Sequence, residues 1–563
     1  MERKDILNNL RNIKEISVLI VGAGINGAGL YRELTLQRVP TLLIDKDDFS
    51  SGASAASSRM IHGGLRYLEN NEVQLVKESL LERNRLILNA AHYVRPLPTT
   101  IPIFSWFSGI MSALPKFMGR PTRSVGRGAL IVKLGLSLYD FYTRKQRILP
   151  THIFTSRKAA LGKRPELNPD IIGTATYYDA WISYPERLCL ELIKDSDLHG
   201  GNSLAINYMG LESSGYDTVV VKDGVTGECL NLKPDIIVNA TGAWIDITNK
   251  ALGKESRFIG GTKGSHLVID NRELIKATKG QMLFYENEDG RICILFPFQG
   301  KVLVGSTDIK IDDPEEAICH NDEVVYMLNA VKQIFPNINI SSSDIVFQFC
   351  GVRPLPNSNA DVTAQISRSH SIGIIPPSEG NKYPIYNLVG GKWTTFRAFS
   401  EKTADEILTI LNIPRKIHTR DIPIGGGKEF PKSKVERNKW LDKMQSRSGL
   451  SIPKLEVLLE RYGTGAEAVA DYMVKDKDQP LVFHKEYTIR EIMYLAHTEF
   501  VVHLDDLILR RTTIALIGEL TYSLLKEIGD IVGKSNKWSE TTLEEEINRT
   551  IEILNLKHNL KLK

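Results

Sequence analysis

The sequence lacks the features of a secreted, zinc-binding or nucleic-acid-binding protein. An odd number of cysteines without metal-ligand spacing argues against a disulfide framework or a metal site and favours a reducing, cytoplasmic setting. The N-terminus, MERKDILNNLRNIKE, has no apolar core of a secretory signal. The net charge of +4 is too small to indicate nucleic-acid binding. The five cysteines lie far apart, at Cys189, Cys229, Cys293, Cys319 and Cys350.

No stretch of the sequence is long and apolar enough to span a membrane. The nearest, PLPTTIPIFSWFSGIMSALP at 96–115, carries no charge but is interrupted by prolines. Apolar residues recur at helical spacing from Ile103 to Leu114, and basic residues follow up to Arg127. Residues 103–127 therefore predict either a helix lying in an anionic membrane interface or a helix packed on its own domain, and the sequence leaves both open.

The segment ISVLIVGAGINGAGLYRELTLQRVPTLLIDKDD predicts a complete βαβ unit, with strands at 17–21 and 41–44 and a helix at about 25–37. Gly22, Gly24 and Gly27 form G-x-G-x-x-G between the first strand and the helix. Such glycines allow a tight turn, close approach of backbone to a pyrophosphate and close packing of helix on strand. Asp45 ends the second strand, where a carboxylate accepts hydrogen bonds from ribose hydroxyls. The unit predicts a dinucleotide site.

Three further small-residue segments lie far from this unit: HGGLRY at 62–67, NATG at 239–242 and GGKWTT at 390–395. A nicotinamide enzyme needs little beyond the βαβ unit and a catalytic domain, whereas several converging segments suit a large, buried FAD. In the last segment, Thr394 and Thr395 stand at a predicted helix N-terminus, whose amide donors suit a flavin pyrimidine that becomes anionic on reduction. Together these segments favour FAD as the cofactor.

The motifs GAGINGAG, SSRMIHGGLRYLE, NATG, KGSH, GVRPL, GGKWTTFR and LDDLILRRT occur in this order in the chain. In content and order the set resembles the FAD-dependent glycerol-3-phosphate dehydrogenases, from about residue 16 to about 545. The resemblance implies membership of the D-amino-acid-oxidase-like flavoproteins, with a glutathione-reductase-like FAD domain. The implied fold class is α/β with a Rossmann FAD-binding domain, an antiparallel-sheet substrate domain and an all-α C-terminal domain.

Periodicity along the chain supports this division. Short strands and turns alternate from 262 to about 344, which is typical of an antiparallel sheet, and long helical periods dominate from 441 onward. The predicted FAD-binding domain is discontinuous, the substrate domain contains the membrane-contacting candidate 103–127, and the helical domain is last. The FAD-binding domain is predicted at 16–95 with parts of 151–260 and 345–415. The substrate domain is predicted at 96–150 and 261–344, and the helical domain at 430–563.

The resemblance also assigns residues to the cofactor and the substrate. Side chains that are mostly cationic are expected to bind the substrate near its reacting carbon. The catalytic candidates among them are His266, Arg353 and Lys392. The predicted substrate residues are Arg66, Tyr67, His266, Arg353, Arg368 and Lys392. The predicted cofactor residues are Gly22, Gly24, Gly27, Asp45, Ser58, Arg59, His62, Gly63, Gly64, Leu65, Thr241, Gly242, Gly391, Lys392 and Thr394.

Elementary chemistry agrees with this assignment. A phosphate dianion is best held by two or more guanidinium groups, which give charge-assisted bidentate bonds. Oxidation of a secondary alcohol also removes the hydroxyl proton, and a histidine of ordinary pKa, about 6.5, suits a base near neutral pH. His266 is the leading candidate for that base, and the alternative is a histidine satisfied within a sheet.

The implied reaction is oxidation of sn-glycerol 3-phosphate to dihydroxyacetone phosphate, by hydride transfer to flavin N5, with electrons passed to membrane quinone. The alternatives are an oxidase that uses oxygen, a related enzyme for another small hydroxy acid or amine, and a non-catalytic FAD-binding protein. The chain is predicted to lie on an anionic membrane surface at the cytoplasmic face, and the resemblance suggests a homodimer. Residues 183–185 depart from the family pattern after YYDAW, so a reshaped substrate rim is expected, whereas Arg59, which stands where a lysine is common, keeps the charge.

Overall fold

The architecture is taken from a computed structural model that describes residues 3–64, 72–108, 128–197, 203–287, 289–358, 366 and 368–563. The strands are β1 Glu15–Val21, β2 Thr41–Ile44, β3 Met60–Ile61, β4 Val94–Ile103, β5 Ile153–Ser156, β6 Gly173–Ile182, β7 Leu204–Ile206, β8 Met209–Ser214, β9 Val219–Asp223, β10 Cys229–Asn239, β11 Thr262–Ile269, β12 Met282–Glu286, β13 Ile292–Phe298, β14 Lys301–Gly305, β15 Ile309–Lys310, β16 Ile345–Arg353, β17 Ser371–Ile375 and β18 Ile385–Val389. The helices are α1 Arg3–Asn12, α2 Ile25–Leu36, α3 Val73–Asn89, α4 Ala129–Thr143, α5 Arg157–Lys163, α6 Pro185–Asp197, α7 Ile245–Ala251, α8 Arg272–Thr278, α9 Asn321–Ile334, α10 Phe396–Ile410, α11 Lys434–Ser448, α12 Ile452–Tyr462, α13 Ala466–Met473, α14 Ile489–Thr498, α15 Leu504–Asp506, α16 Tyr522–Asn536 and α17 Glu540–His558.

The first sheet has the strand order β17-β18-β10-β1-β2-β7, and β9 and β8 extend it from β10. Strands β18, β10, β1, β2 and β7 run parallel. Strand β1 is buried along most of its length because helix α2 covers one face and α1 the other. The βαβ unit predicted from the sequence is thereby confirmed.

The second sheet has the strand order β15-β11-β14-β13-β12-β4-β6-β3, with β16 beside β11 and β5 beside β6. All its pairings are antiparallel except the short one between β12 and β4. One face packs on α8 and α9 through residues such as Leu267 and Leu295. The other face packs on the C-terminal helices through residues such as Val268 and Phe296. The predicted fold class is confirmed, whereas the division of the chain into domains stays a prediction.

The expected helix from Ile103 to Phe107 is wrong. Ile103 ends strand β4, and the residues directly after it form a turn. Strand β4 pairs with β6 along its whole length but with β12 only at Thr99 and Thr100. Its prolines therefore lie where one neighbouring strand is missing, so their lack of an N–H is tolerated. Residues 109–127, the rest of the membrane-contacting candidate, lie outside the described residues.

Within the described ranges, none of the helices combines the length and the hydropathy that crossing a membrane requires. All five cysteines are free thiols.

Candidate functional site

Three small-residue turns meet at one edge of the first sheet. Strands β1, β10 and β18 are parallel neighbours, so their carboxyl ends lie side by side. The glycine loop follows β1, NATG follows β10 and GGKWTT follows β18. A backbone hydrogen bond joins the NATG turn to the end of β1, since Ala240 N donates to Val21 O at 2.8 Å, and Gly22 N donates to Ile44 O at the end of β2 at 2.8 Å. The crevice outside the carboxyl ends of parallel strands is where ligands bind in such sheets.

The glycine loop is too tightly packed for side chains at two of its three positions. Gly22 has a φ of +100°, and a Cβ there would lie 2.7 Å from Ala240 O. A Cβ on Gly27 would lie 1.9 Å from Gly22 O, because α2 starts directly on the loop. At Gly24 the nearest atom would be Ser54 Oγ at 3.1 Å. The loop thus presents bare backbone at the start of α2, where the helix dipole favours a phosphate.

Asp45 lies beside this loop at the end of β2. Its carboxylate accepts hydrogen bonds from Ala23 N at 2.7 Å and from Asp47 N at 3.0 Å. Burial raises the pKa of Asp45 to about 7, although the two backbone donors oppose that rise. A carboxylate has further lone pairs, so additional hydroxyl donors at this site would stabilise its ionised form.

The GGKWTT turn locks onto the glycine loop. Gly390 and Gly391 both have positive φ angles, and a Cβ on Gly391 would lie 2.5 Å from Asn26 Nδ2. Asn26 Nδ2 donates to Gly390 O at 3.1 Å, and Trp393 Nε1 donates to Ser54 O at 3.0 Å. The structure therefore brings the G-x-G-x-x-G loop and the GGKWTT turn into direct contact.

The NATG turn offers space beside its backbone. Thr241 Oγ1 donates to Asn239 Oδ1 at 2.6 Å, which fixes the start of the turn. Gly242 has a φ of +63°, and a Cβ built on it would meet no heavy atom of the described residues within 4 Å. Close packing therefore does not account for this glycine, which stands where a bound group can approach the backbone.

The segment SSRMIHGG divides its side chains between two directions. Ser58 Oγ is 2.7 Å from His266 Nε2, towards the second sheet. Arg59, with a φ of +53°, donates to Ser183 O at 2.9 Å and to Glu186 Oε1 at 2.5 Å, and all three residues are buried. Its guanidinium therefore lies on the turn that departs from the family pattern. Ser183 is only 2% exposed, so this turn belongs to the interior and not to an exposed rim.

Gly63 is held by residues that sequence reasoning missed. Gly63 N donates to Tyr139 Oη at 3.0 Å and to Asp179 Oδ1 at 3.1 Å. Arg83 pairs with the same Asp179 oxygen at 2.9 Å. The only signal for this network was the aspartate of YYDAW inside an otherwise apolar strand. Burial, aided by nearby cations, lowers the pKa of His62 to about 4. Gly64 follows with a φ of +75°, and Leu65, Arg66 and Tyr67 lie outside the described residues.

Two predicted substrate arginines meet at a carboxylate. Arg353 Nη1 is 3.3 Å from Asp308 Oδ1, and Arg368 Nη2 is 3.4 Å from Asp308 Oδ2. Arg353 Nη2 also donates to Ser306 Oγ at 2.9 Å and to Thr307 O at 3.1 Å. The contacts orient both guanidiniums, which remain partly exposed. Sequence reasoning missed Asp308, since an aspartate after a strand is common in loops.

His266 lies on the same face of the second sheet as the Arg353 guanidinium. A Cβ on Gly264, two residues before His266 on β11, would lie 2.1 Å from Arg353 Nη2. The His266 ring stacks on Phe349 at 4.9 Å between centroids and is 2% exposed. Burial, then the charge of Arg353, lowers its pKa to about 3, so the ring is neutral at physiological pH. Nδ1 has no hydrogen-bond partner among the described residues.

Lys392 completes the cationic group from the side of the first sheet. Burial lowers the pKa of Lys392 to about 7, partly offset by Glu78 and Glu72 and reinforced by Arg368. The ammonium also lowers the pKa of His62, and Arg368 lowers the pKa of Lys392. The charge of Lys392 therefore interacts with one predicted cofactor residue and one predicted substrate residue. Thr394 Oγ1, in the same turn, accepts a hydrogen bond from His62 N at 3.1 Å.

This arrangement fits an FAD molecule. The glycine loop presents backbone amides at the start of α2, where a pyrophosphate would bind, and Asp45 lies where a ribose needs an acceptor. Gly242 leaves space beside β10, and the GGKWTT turn precedes α10 at the edge that faces the second sheet. The donor set is therefore that of a dinucleotide cofactor next to an anion-binding face.

Comparison with known proteins agrees with the site. A model of the FAD dependent oxidoreductase family matches residues 17–395, and a model of the C-terminal domain of alpha-glycerophosphate oxidase matches residues 417–543. A protein from Synechocystis named glycerol-3-phosphate dehydrogenase is 28% identical, over 96% of this chain and 97% of its own length.

Two solved structures are similar in fold. The glycerol-3-phosphate dehydrogenase of Bacillus halodurans, complexed with FAD, has a TM-score of 0.76 at 22% identity, covering 99% of this chain and 97% of its own. The L-alpha-glycerophosphate oxidase of Mycoplasma pneumoniae, with FAD bound, has a TM-score of 0.52 at 18% identity, covering 73% of this chain and 99% of its own.

Proposed function

This chain belongs to the FAD-dependent oxidoreductase family, and from that premise we propose that it oxidises sn-glycerol 3-phosphate to dihydroxyacetone phosphate. One observation carries the proposal. Arg353 and Arg368 converge on Asp308 at 3.3 and 3.4 Å, and the Arg353 guanidinium shares a sheet face with His266, which contacts Ser58, a predicted cofactor residue. A relative named glycerol-3-phosphate dehydrogenase that spans nearly the whole chain supports it.

In this proposal the phosphate dianion binds the two guanidiniums. Both guanidiniums are cationic and partly exposed, so they can attract the dianion, and Asp308 presets their orientation before the substrate arrives. The anchored phosphate then holds the secondary alcohol at a fixed distance from the sheet face of His266. Anchoring through a non-reacting group contributes to the rate because it fixes the geometry of the reacting carbon.

His266 is proposed to take the hydroxyl proton, and this role requires the bound phosphate dianion to offset the charge of Arg353 and so raise the pKa of the ring above about 3. If Nε2–H donates to Ser58 Oγ, Nδ1 carries the free lone pair of the neutral ring. Arg353 and Lys392 stabilise the negative charge that develops on the substrate oxygen. Bound FAD supplies the acceptor for the hydride. We further propose that electrons leave for a membrane quinone, with oxygen as the alternative acceptor.

The test is an anaerobic titration of the purified, FAD-loaded protein with sn-glycerol 3-phosphate. We expect the oxidised flavin absorbance to bleach with the substrate and not with glycerol or with a small hydroxy acid, because only the former offers a phosphate to the arginines. A soluble quinone analogue should then restore the absorbance faster than air does. Failure of the substrate to bleach the flavin contradicts the reaction, and stoichiometric peroxide in air favours the oxidase.

We also propose that helix α4 contacts an anionic membrane. Its buried face carries Val132, Leu136 and Tyr139, yet its outer face is also apolar. Outer residues Leu134 and Phe141 are 64% and 65% exposed. Phe107, 72% exposed, lies in the turn that hydrogen-bonds to the helix start. The exposed basic residues on and after the helix are Lys133, Arg144 and Arg147. Apolar side chains beside basic ones suit an anionic lipid surface.

The combined change Leu134→Ser and Phe141→Ser is expected to weaken binding to vesicles containing phosphatidylglycerol by about tenfold to a hundredfold, because two large apolar side chains no longer enter the lipid. Co-sedimentation at low salt measures it. The matched control is Val435→Ser with Val482→Ser, two valines that are each 65% exposed elsewhere. Equal loss in both variants, or no binding by the native protein, contradicts the membrane contact.

A further inference from the structure

Residues 45–58, here called the cofactor segment, lie directly beside the glycine loop. Three hydrogen bonds fix the loop to it. Ala23 N donates to Asp45 Oδ2 at 2.7 Å, and Ile25 N donates to Ser54 Oγ at 2.9 Å. In the reverse direction, Ser50 N donates to Ala23 O at 3.1 Å. A shift of this segment would therefore move the backbone amides that are expected to face the pyrophosphate.

Asp48, in the middle of the cofactor segment, is clamped by two arginines from the C-terminal helices. Arg511 donates from Nη1 to Oδ2 at 2.5 Å and from Nη2 to Oδ1 at 2.8 Å, and the side chains of both residues are fully buried. Arg510 Nε pairs with Oδ2. Asn207 Nδ2 adds a fourth donor at 3.0 Å. Four donors therefore hold the carboxylate, and three of them come from the two arginines of the C-terminal helices.

The arginines belong to the motif LDDLILRRT, which neither the cofactor nor the substrate explains. They close a π-helix that spans Leu507–Arg511 and continues α15. π-helical turns are rare and recur at functional sites. Arg511 Nε also donates to Glu499 O at 2.8 Å, and the ring of Phe500 packs against Phe49 at 5.2 Å. The helical region therefore contacts the cofactor segment through ion pairs to Asp48 and through the packing of Phe500 on Phe49.

The charge balance argues for a role beyond stability. Burial alone would raise the pKa of Asp48, but Arg511 and Arg510 outweigh it and hold the carboxylate ionised. A buried ion pair must be desolvated, so apolar residues of similar volume would stabilise the same interface as well or better. What apolar residues cannot do is fix one segment in one register through directed bidentate bonds.

We propose that Arg511, assisted by Arg510, is a positioning residue of the FAD site. Through Asp48 it holds the cofactor segment against Ala23 and Ile25, so the C-terminal helices determine how firmly FAD is retained. This inference concerns the cofactor alone. It stands whether or not glycerol 3-phosphate is the substrate, because its test needs no turnover.

The test compares FAD release from the holoenzyme of the native chain and of Arg511→Gln. Release is followed by the fluorescence of free FAD after dilution, and unfolding of the apoprotein is followed by scanning calorimetry. Loss of a charge-assisted fork at the clamp is expected to speed FAD release by about tenfold to a hundredfold. The flavin spectrum should broaden as well, because the isoalloxazine is held less rigidly.

The matched control is Arg461→Gln, which removes a buried guanidinium paired with Glu491 at 2.9 Å inside the helical region. The proposal holds if Arg511→Gln releases FAD at least tenfold faster than Arg461→Gln at similar apoprotein stability. It is overturned if the two variants release FAD equally fast or if neither differs from the native chain. If Arg511→Gln does not fold, Arg511→Lys is compared with Arg461→Lys by the same criterion, with a smaller but measurable difference expected.

Discussion

Replacing Arg353 by lysine is expected to lower kcat/KM for glycerol 3-phosphate by about 10²- to 10³-fold, or about 3–4 kcal/mol of transition-state stabilisation. The guanidinium reaches Ser306, Thr307 and Asp308 at once. A lysine ammonium is a single point donor and cannot replace a planar fork that both keeps these contacts and binds a phosphate. The charge is retained, so the loss reports geometry and not electrostatics alone.

The measurement is the rate of anaerobic flavin reduction as a function of substrate concentration. Both the apparent KM and the limiting rate should change, because the arginine holds the phosphate and stabilises charge near His266. The control is Arg291→Lys, a 43% exposed arginine directly before β13 of the same sheet with a single ionic contact to Asp289. An unchanged reduction rate in Arg353→Lys, with normal FAD content, would remove Arg353 from the site.

The parts of the fold that follow from local sequence could be predicted. The βαβ unit is recognisable because strand, glycine turn, helix and strand are consecutive and each has its own pattern. Packing at Gly22 and Gly27 agrees with the reason given for them, since a side chain at either would meet backbone. The start of α10 was also predictable, because GGKWTT again places a glycine turn between a strand and a helix.

Contacts between distant segments could not be predicted. Asp308 joins two predicted arginines, and Asp179 fixes Gly63 from a strand 116 residues away in sequence. Arg59 carried the right charge, yet its partner Glu186 was not foreseeable, because charge alone does not say which way a side chain points. Helix α4 illustrates the same limit, because three of its four leucines are exposed, and that exposure is a property of the fold.

Replacing His266 by glutamine is expected to slow flavin reduction by about 10²- to 10⁴-fold, the usual contribution of a positioned base, with FAD still bound. Glutamine can keep a hydrogen bond to Ser58 but cannot accept a proton. His558→Gln is the matched control. His558 stacks at 4.4 Å on Phe347 of β16, the strand whose Phe349 stacks on His266, and it contacts Gln348 O. Comparable losses in both variants would mean that the ring of His266 only fills space.

The pH dependence separates His266 from Lys392. Burial and Arg353 lower the pKa of His266 to about 3, so the basic form is present above that pH and is lost only as pH falls through about 3. His266 therefore adds no limb to the kcat/KM profile between pH 5 and 9. Burial lowers the pKa of Lys392 to about 7, so its cation is lost as pH rises through that value. A falling limb near pH 7 that persists in His266→Gln and disappears in Lys392→Gln belongs to Lys392 and not to Asp45, whereas a limb near 6.5 that disappears in His266→Gln contradicts the buried, neutral ring.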